Sequence, residues 1–377
     1  MNGYSTIDVK HRSLKAKVAF SKAHLDHHLV KCWLIWGTDK NTVFIGRPLL
    51  SLLIDEAKDK VLAWHFTFAK PSRAVDACVL RNCVRSFGAL PEEIFTDHGS
   101  DFTSVYVRSV LASERVTLSF REKGKSQAGS EVERIFGEFM RTWLCQRDGN
   151  IVDKHAARAI DGKFSAKKHA LLKPEDLIRE FEEFINFREG KLVGTKTETI
   201  NKSFENSVRT FGCVGRKVSF NENFIVATAV DVRDYTIERN SIKIDGIRYS
   251  NALLKDARRA KVKFDVRIEP ENPYVVYAFV KNKWISCIAT GYVEFMEKTH
   301  VNQQVETLKI RGAGSLRGLA KRKAQGDLAD LFDSADKKLL WLDEDELDNE
   351  DHADIKTLFE QVICNPAKIL EIEEGVF

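Results

Sequence analysis

Hydrophobic and polar positions change period several times along the chain, and the changes mark its elements. Ala23 to Trp36 (AHLDHHLVKCWLIW) reads as one strand, and Gly37 to Asn41 as a turn. Leu49 to Asp55 and Val61 to Phe68 are two further apolar runs of strand length, joined by a short polar turn. Helical spacing then takes over. Pro71-Ser72 opens a helix with Val75, Val79, Leu80 and Cys83 near one face, and Gly88 ends it. Glu93 to Asp97 predicts a fourth strand that runs into the turn HGSD, followed by a helix near Ser104 to Ser113 and a strand from Val116 to Phe120. After the loop REKGKSQAG, a helix from Ser130 to Cys145 carries Ile135, Phe136, Phe139 and Trp143 on one stripe. Three antiparallel strands followed by alternating helices and strands describe a mixed-sheet α/β layer.

Residues 146–172 are polar and basic, and read as a loop. Pro174 to Phe187 is a helix with Leu177, Ile178, Phe181, Phe184 and Ile185 at helical spacing. Over 206–296 the pattern shifts to short β-rich runs. Lys261 to Ile268 alternates, and Tyr274 to Val280 leads through KNK into Trp284-Ile285, a hairpin signature. This predicts a separate small all-β barrel or sandwich. A Gly-punctuated basic stretch over 308–325 and an acidic run, WLDEDELDNEDHAD, precede the C-terminal residues. The units expected are a lead segment (1–22), an α/β core (23–165), a helical connector (166–205), the β-rich unit (206–296), a basic helical linker (297–340) and an acidic tail (341–377).

Charge sharpens this division. The formal net charge is +4, but residues 341–377 hold twelve Asp/Glu against two Lys/Arg, so the remainder carries an excess of 14 positive charges. A basic body with an acidic tail suits a binder of polyanions whose tail has a separate task. The seven cysteines (32, 78, 83, 145, 213, 287 and 364) are scattered and form no C-x-x-C pair, which favours reduced thiols in the cytoplasm. No apolar run approaches the roughly 20 residues of a membrane span.

The candidate chemistry lies in acids. Asp26 sits on the first strand, Asp97 at the end of the fourth, and Glu133 in the first turn of the following helix. Strand ends and the adjoining helix are where polar groups converge in an α/β sheet. Three carboxylates at one point repel unless divalent cations neutralise them, and hard oxygen ligands suit Mg²⁺ or Mn²⁺. Each acid alone reads more readily as a turn, cap or dipole residue, and Asp55, Asp101, Glu131 and Glu138 are assigned to those roles. His24, His27 and His28 suit zinc less well, because alternation sends His27 to the opposite face.

IFTDHGSDF, with thirty-five residues between Asp97 and the Glu133 of GSEVERIFGEF, resembles the D,D-35-E pattern of retroviral-type integrases and DDE transposases. HLDHHLVKCWLIW followed by IGRPLLSLLIDEAKDKVLAWHFTFAKPS is similar to the TnsB/TniA and phage Mu branch, where a G-R-P-x-L segment follows the strand of the first catalytic Asp. That selects Asp26 over Asp55. YTIERNSIKIDGIRYSNALL resembles the small barrel after the core in the same group, so the resemblance spans Ala23 to Ala289.

The resemblance implies an RNase H-like mixed-sheet catalytic core, a Mu-transposase-type β-barrel and a helical or disordered C-terminal tail. It implies cleavage at transposon 3′ ends and joining of the 3′-hydroxyl to target DNA by two-metal in-line phosphoryl transfer. Two Mg²⁺ ions, replaceable by Mn²⁺, would sit on Asp26, Asp97 and Glu133, with no covalent enzyme intermediate. It further implies a bacterial cytoplasmic protein that forms a homo-oligomer on transposon-end and target DNA. A AAA+ ATPase target selector would bind the tail through Leu358, Phe359, Val362 and Ile363, and a second nuclease subunit is a further implied partner. Arg121, Lys123 and Lys125 before Glu133, and Arg317, Lys321, Arg322 and Lys323 beyond the β-rich unit, suit phosphate contacts. Only 25 residues precede Asp26, so end recognition is expected from residues outside this chain or from a partner. A catalytically idle assembly subunit and an RNase H-like nuclease are the alternatives. Intact acids count against the first, and the β-rich unit and tail against the second.

Overall fold

The computed structural model describes residues 16–36, 43–68, 71–97, 105–121, 130–151, 166, 169–192, 197–235, 241–244, 246–254, 264–299, 302–307 and 310. The first unit is built on β1 (Lys22–Leu29), a small hairpin of β2 (Leu34–Trp36) and β3 (Val43–Gly46), then β4 (Leu49–Asp55) and β5 (Val61–Thr67). Helix α1 (Arg73–Phe87), β6 (Ala89–Leu90), β7 (Glu93–Thr96), α2 (Val105–Ser113), β8 (Thr117–Phe120) and α3 (Ser130–Glu138) follow. The main sheet has the order β5-β4-β1-β7-β8, with β1, β4 and β5 antiparallel and β7 and β8 parallel to β1. An antiparallel three-strand meander extended by parallel βα units is the RNase H-like arrangement that the sequence implied.

One expected strand divides in two. The run from Ala23 to Trp36 pairs with β4 as far as Leu29↔Leu49, then stops. The next partner is Pro48, which accepts from the Val30 N–H at 2.8 Å but has no N–H to return, so the ladder ends and the chain turns into β2. The expected helix from Ser130 to Cys145 is likewise interrupted. Regular α structure ends at Glu138, and Phe139–Trp143 forms a π turn before a 3₁₀ turn over Leu144–Gln146. Thr142 Oγ1 donates to the Glu138 carbonyl at 2.6 Å, competing for an acceptor of the α ladder.

Two apolar layers cover the sheet. Ala23, Leu25 and Leu53 pack with Val79, Leu80 and Cys83 of α1 and with Val107, Val110 and Leu111 of α2. On the opposite face Leu50, Leu52 and Ile54 meet Val132, Ile135, Phe136 and Phe139 of α3 and the α3 extension. Helix α4 (Pro174–Gly190) completes this second layer with Phe181, whose ring sits edge-on to Trp64, Phe66 and Phe139 at 5.2, 5.4 and 4.9 Å between centroids. Helix α5 (Ile200–Phe211) sets Phe204 against Phe20 and Phe87 on the first layer. The helices expected as a connector therefore pack onto the core.

Beyond β9 (Arg216–Lys217) and α6 (Glu222–Ala227) lies the all-β unit: β10 (Val230–Tyr235), β11 (Ser241–Ile244), β12 (Ile247–Ser250), β13 (Phe264–Ile268), β14 (Val275–Val280) and β15 (Lys283–Ala289). All six strands are antiparallel, in the order β10-β13-β14-β15-β12-β11, around Ile242, Ile244, Tyr249, Val266, Val276, Ala278 and Cys287. Among the described residues β10 and β11 remain edges, so the sheet is an open half-barrel. The short helix α7 (Tyr292–Glu297) follows it. Cys32, Cys78, Cys83 and Cys287 are buried free thiols. No described helix is long and apolar enough to cross a membrane.

Candidate active site

Asp26 lies in the middle of β1. Alternation sends Ala23 and Leu25 to the α1 layer, so His24, Asp26 and His28 face the α3 layer, as expected from the sequence. The parallel register of β1 and β7 runs Lys22↔Glu93, Ala23↔Ile94, His24↔Phe95. Carried two residues further, the same offset sets Asp97 against Asp26 just past the end of β7. Asp97 is exposed there, and Asp26 is half-buried.

Helix α3 crosses this face in the direction of β1. Phe136 stacks on His28 at 4.9 Å between centroids, and Met140 Sδ accepts from the Lys31 N–H at 3.5 Å. Glu133 is one turn before Phe136, roughly 5 Å back along the helix, which is about two residues of strand. That is the level of Asp26. Glu133 is exposed, next to the buried stripe of Val132, Ile135 and Phe136. Register and helix spacing thus put the three acids on the same side of the sheet. Among the described residues, however, no three His, Cys, Asp or Glu side chains stand close enough together to hold a metal ion. Carboxylate oxygens are the donor chemistry that fits Mg²⁺ or Mn²⁺.

A cation already contacts Asp26. Arg121 Nη1 donates to Asp26 Oδ2 at 2.9 Å, while Asp26 Oδ1 accepts from the His27 N–H at 2.8 Å. Sequence reasoning gave Arg121 to DNA phosphate. Its contact with Asp26 spans 95 residues and follows only from the β1-β7-β8 order, in which the Arg121 N–H, just after β8, donates to the Thr96 carbonyl at 2.9 Å. Lys123, Lys125, Arg317, Lys321, Arg322, Lys323, Leu358, Phe359, Val362 and Ile363 lie outside the described residues.

The other acids and histidines near β1 serve the fold. Asp55 is fully buried and accepts from the Phe20 N–H at 2.7 Å and the Lys58 N–H at 2.8 Å, so it ties the entry of β1 to the β4–β5 turn. Burial pushes its carboxyl up to about 6. His27 faces the α1 layer, with Nδ1 2.6 Å from Ser51 Oγ and Nε2 3.1 Å from Asp76 Oδ1. The hydroxyl, imidazole and carboxylate are in line, but Ser51 and Asp76 are wholly buried, so the group clamps β1 to β4 and α1 and presents no nucleophile. His24 lies 3.6 Å from Glu56. Burial, with Lys31 adding to it, holds His28 below the usual imidazole range.

Comparison with known proteins restricts the interpretation. Residues 24–149 match the family described as the TnsB C-terminal domain. The transposase for transposon Tn552 of Staphylococcus aureus is 28% identical over 114 residues, which cover 28% of this chain and 24% of that protein. The match thus spans about a quarter of the relative's length. Solved structures of low similarity include the catalytic core of BIV integrase (11% identity, TM-score 0.33, 51% of this chain and 97% of that chain). The simian T-cell lymphotropic virus intasome in complex with PP2A regulatory subunit B56 gamma matches at 10% identity and TM-score 0.37, over 74% of this chain and 80% of that one. The HTLV-2 integrase catalytic core in complex with magnesium matches at 12% identity and TM-score 0.30, over 50% of this chain and 97% of that one. Over residues 24–149, then, this chain is similar to the TnsB C-terminal domain family, and over 114 residues to a transposase.

Proposed function

We propose that the chain is a DNA transposase of the DDE type, a polynucleotidyl transferase that cleaves at transposon 3′ ends and joins the freed 3′-hydroxyl to target DNA. The observation that supports this reading is the β1–β7 register through His24↔Phe95, whose continuation would set Asp97 beside Asp26 on the face that α3 crosses. The family match over the same residues supports it. Asp26, Asp97 and Glu133 would hold two Mg²⁺ ions, or Mn²⁺ in their place. When bound, such ions stabilise the attacking and leaving oxygens of an in-line displacement at phosphorus.

The chain's own contribution is positional. Central pairing in β1 and the His27 N–H fix the Asp26 carboxylate. The nucleophile is first water and then the DNA 3′-hydroxyl. Burial pushes the Cys32 thiol up to about 12 and those of Cys78 and Cys83 well above the usual thiol range, so these cysteines do not compete as nucleophiles. Lys123, Lys125 and the basic residues Arg317, Lys321, Arg322 and Lys323 would follow the phosphate backbone. The acidic tail would engage a AAA+ ATPase through Leu358, Phe359, Val362 and Ile363, in a homo-oligomer on DNA.

The decisive assay offers pre-nicked transposon-end DNA and Mg²⁺ to Asp26→Asn, Asp97→Asn and Glu133→Gln. Each variant is expected to lose joining while DNA binding remains, and chelator is expected to silence the parent protein. Joining by Asp26→Asn together with its loss in Asp55→Asn would assign the first ligand to Asp55. For the flanks, neutralising Lys123 and Lys125 should flatten the dependence of DNA affinity on salt. The log-log slope should fall by close to one for each phosphate that is no longer neutralised. Deletion of residues 341–377 should abolish ATPase binding and leave that slope unchanged. The opposite pattern would make the tail a mask for the basic body.

A further inference from the structure

The Arg121–Asp26 contact is a poor structural bond and a good temporary one. Arg121 is only 13% exposed at its side chain, yet one guanidinium nitrogen alone, Nη1, has an acceptor among the described residues. Nε and Nη2 are buried and make no hydrogen bond there. Arginines that hold this fold together are used differently. Arg81 engages Nε, Nη1 and Nη2 with Thr228, Glu269, Glu271 and the Ile225 carbonyl. Arg188 divides its fork between Glu138 and the Asp59 carbonyl. A buried guanidinium with two unmet donors gains little from staying where it is. The acid it holds, moreover, is the one aligned with Asp97.

We infer that Arg121 is a built-in counter-ion for Asp26, a positioning residue that neutralises this carboxylate while the site is empty and must be displaced before the acids can accept a divalent cation. The inference rests on the carboxylate reading of the site. An arginine on Asp26 Oδ2 occupies one of the oxygens that a divalent cation on this carboxylate would need. The inference also gives the displaced group a destination. The planar guanidinium fork matches a phosphate, and Arg121 lies two residues before Lys123 and four before Lys125, with Glu122 between. Metal entry and DNA entry would then favour each other, because DNA phosphate draws away the group that competes with the metal.

The test is direct titration of Mn²⁺ into the full chain without DNA, reading free Mn²⁺ by its paramagnetic resonance signal, for the parent, Arg121→Gln, Arg121→Lys and Asp26→Asn. Removing a cation in contact with a carboxylate is expected to tighten Mn²⁺ binding by roughly tenfold in Arg121→Gln. Arg121→Lys keeps the charge and should stay near the parent. A strut role predicts the opposite sign, because loosening Asp26 weakens binding. Circular dichroism of each variant checks the fold. Unchanged or weaker Mn²⁺ binding by folded Arg121→Gln overturns the inference. Undiminished binding by Asp26→Asn instead overturns the carboxylate site on which it rests.

Discussion

The junction between the core and the half-barrel and the face around Asp26 each contain a buried arginine against a carboxylate, and they are built on opposite principles. At the junction Arg81 of α1 is 1% exposed, and every donor group of its fork finds an acceptor on α6, its C-cap Thr228 or the half-barrel's Glu269. Glu269 also accepts from the Tyr277 hydroxyl at 3.0 Å, and Arg85 donates to Glu271 at 2.8 Å. Burial and the Glu269 charge push the Tyr277 phenol far above its usual range, so it stays a donor at any working pH. Beside Asp26 the guanidinium is used sparingly, with Nη1 of Arg121 on the carboxylate and Nε and Nη2 making no hydrogen bond among the described residues. A polar network that is closed fixes two units in one arrangement.

Breaking the closed network should give the largest effect. Arg81→Ala leaves Glu269 buried without its countercharge, for which a loss of about 3–5 kcal/mol in unfolding free energy is expected. Urea denaturation measures it, and limited proteolysis should show cleavage appearing between the core and the half-barrel. Arg121→Gln breaks a single bond and also removes two buried donors that have no acceptor among the described residues, so it should cost clearly less than Arg81→Ala in the same assay. Equal losses would erase the distinction between the two regions.

Asp55 and Asp26 extend the comparison to two acids on neighbouring strands. Burial raises Asp55 from 3.8 to about 6, against the pull of its backbone hydrogen bonds. A raised carboxyl binds its proton more tightly in the folded state than in the unfolded state. Its contribution to stability is therefore complete below about pH 4 and is lost as pH rises through about 6. The two-unit displacement corresponds to about 3 kcal/mol. Asp55→Asn has no such titration, so the stability difference between parent and variant should change by that amount between pH 4 and pH 7. Parallel curves would place the Asp55 carboxyl at an ordinary value.

These contrasts also explain which parts of the molecule could be read from its sequence. Strands β4, β5 and β7 and helix α1 follow from local patterns, with Ser72 and Gly88 at the ends of α1, and they emerged with nearly their expected limits. The break of β1 was also written locally, in Pro48, but it acts only through the partner strand, and a single run of apolar residues conceals it. The π turn after Glu138 depends on a Thr142 hydroxyl bond that periodicity does not register. The choice of Asp26 over Asp55 came from family resemblance, and burial then gave Asp55 a structural task. Arg81 was only one position of a helix in the sequence, because its partners lie more than 140 residues away. Contacts of that separation are fixed by the order of strands and domains, which no local window contains.

The smallest expected effect concerns a third guanidinium, on the helix that carries Glu133. Arg141 is exposed and folds back over Gly137, where a Cβ would meet its Nη2 at 2.8 Å and its Cζ at 3.3 Å. Those atoms are the far end of a flexible side chain, so Gly137→Ala should simply move Arg141 aside. Alanine in place of glycine inside a helix favours the helix by about 0.8–1 kcal/mol, and losing the Arg141 position returns part of that. The net change should be a slight stabilisation, under about 1 kcal/mol, measurable by urea denaturation. Gly137 follows Glu133 by one helical turn, so metal binding is the informative companion measurement. An arginine that holds none of the three acids has nothing to withhold from the site, and Gly137→Ala should leave Mn²⁺ affinity at the parental value. A clear loss of stability would mean that Arg141 is held in place as firmly as Arg81, and that the gradation from closed to open arginines stops short of α3.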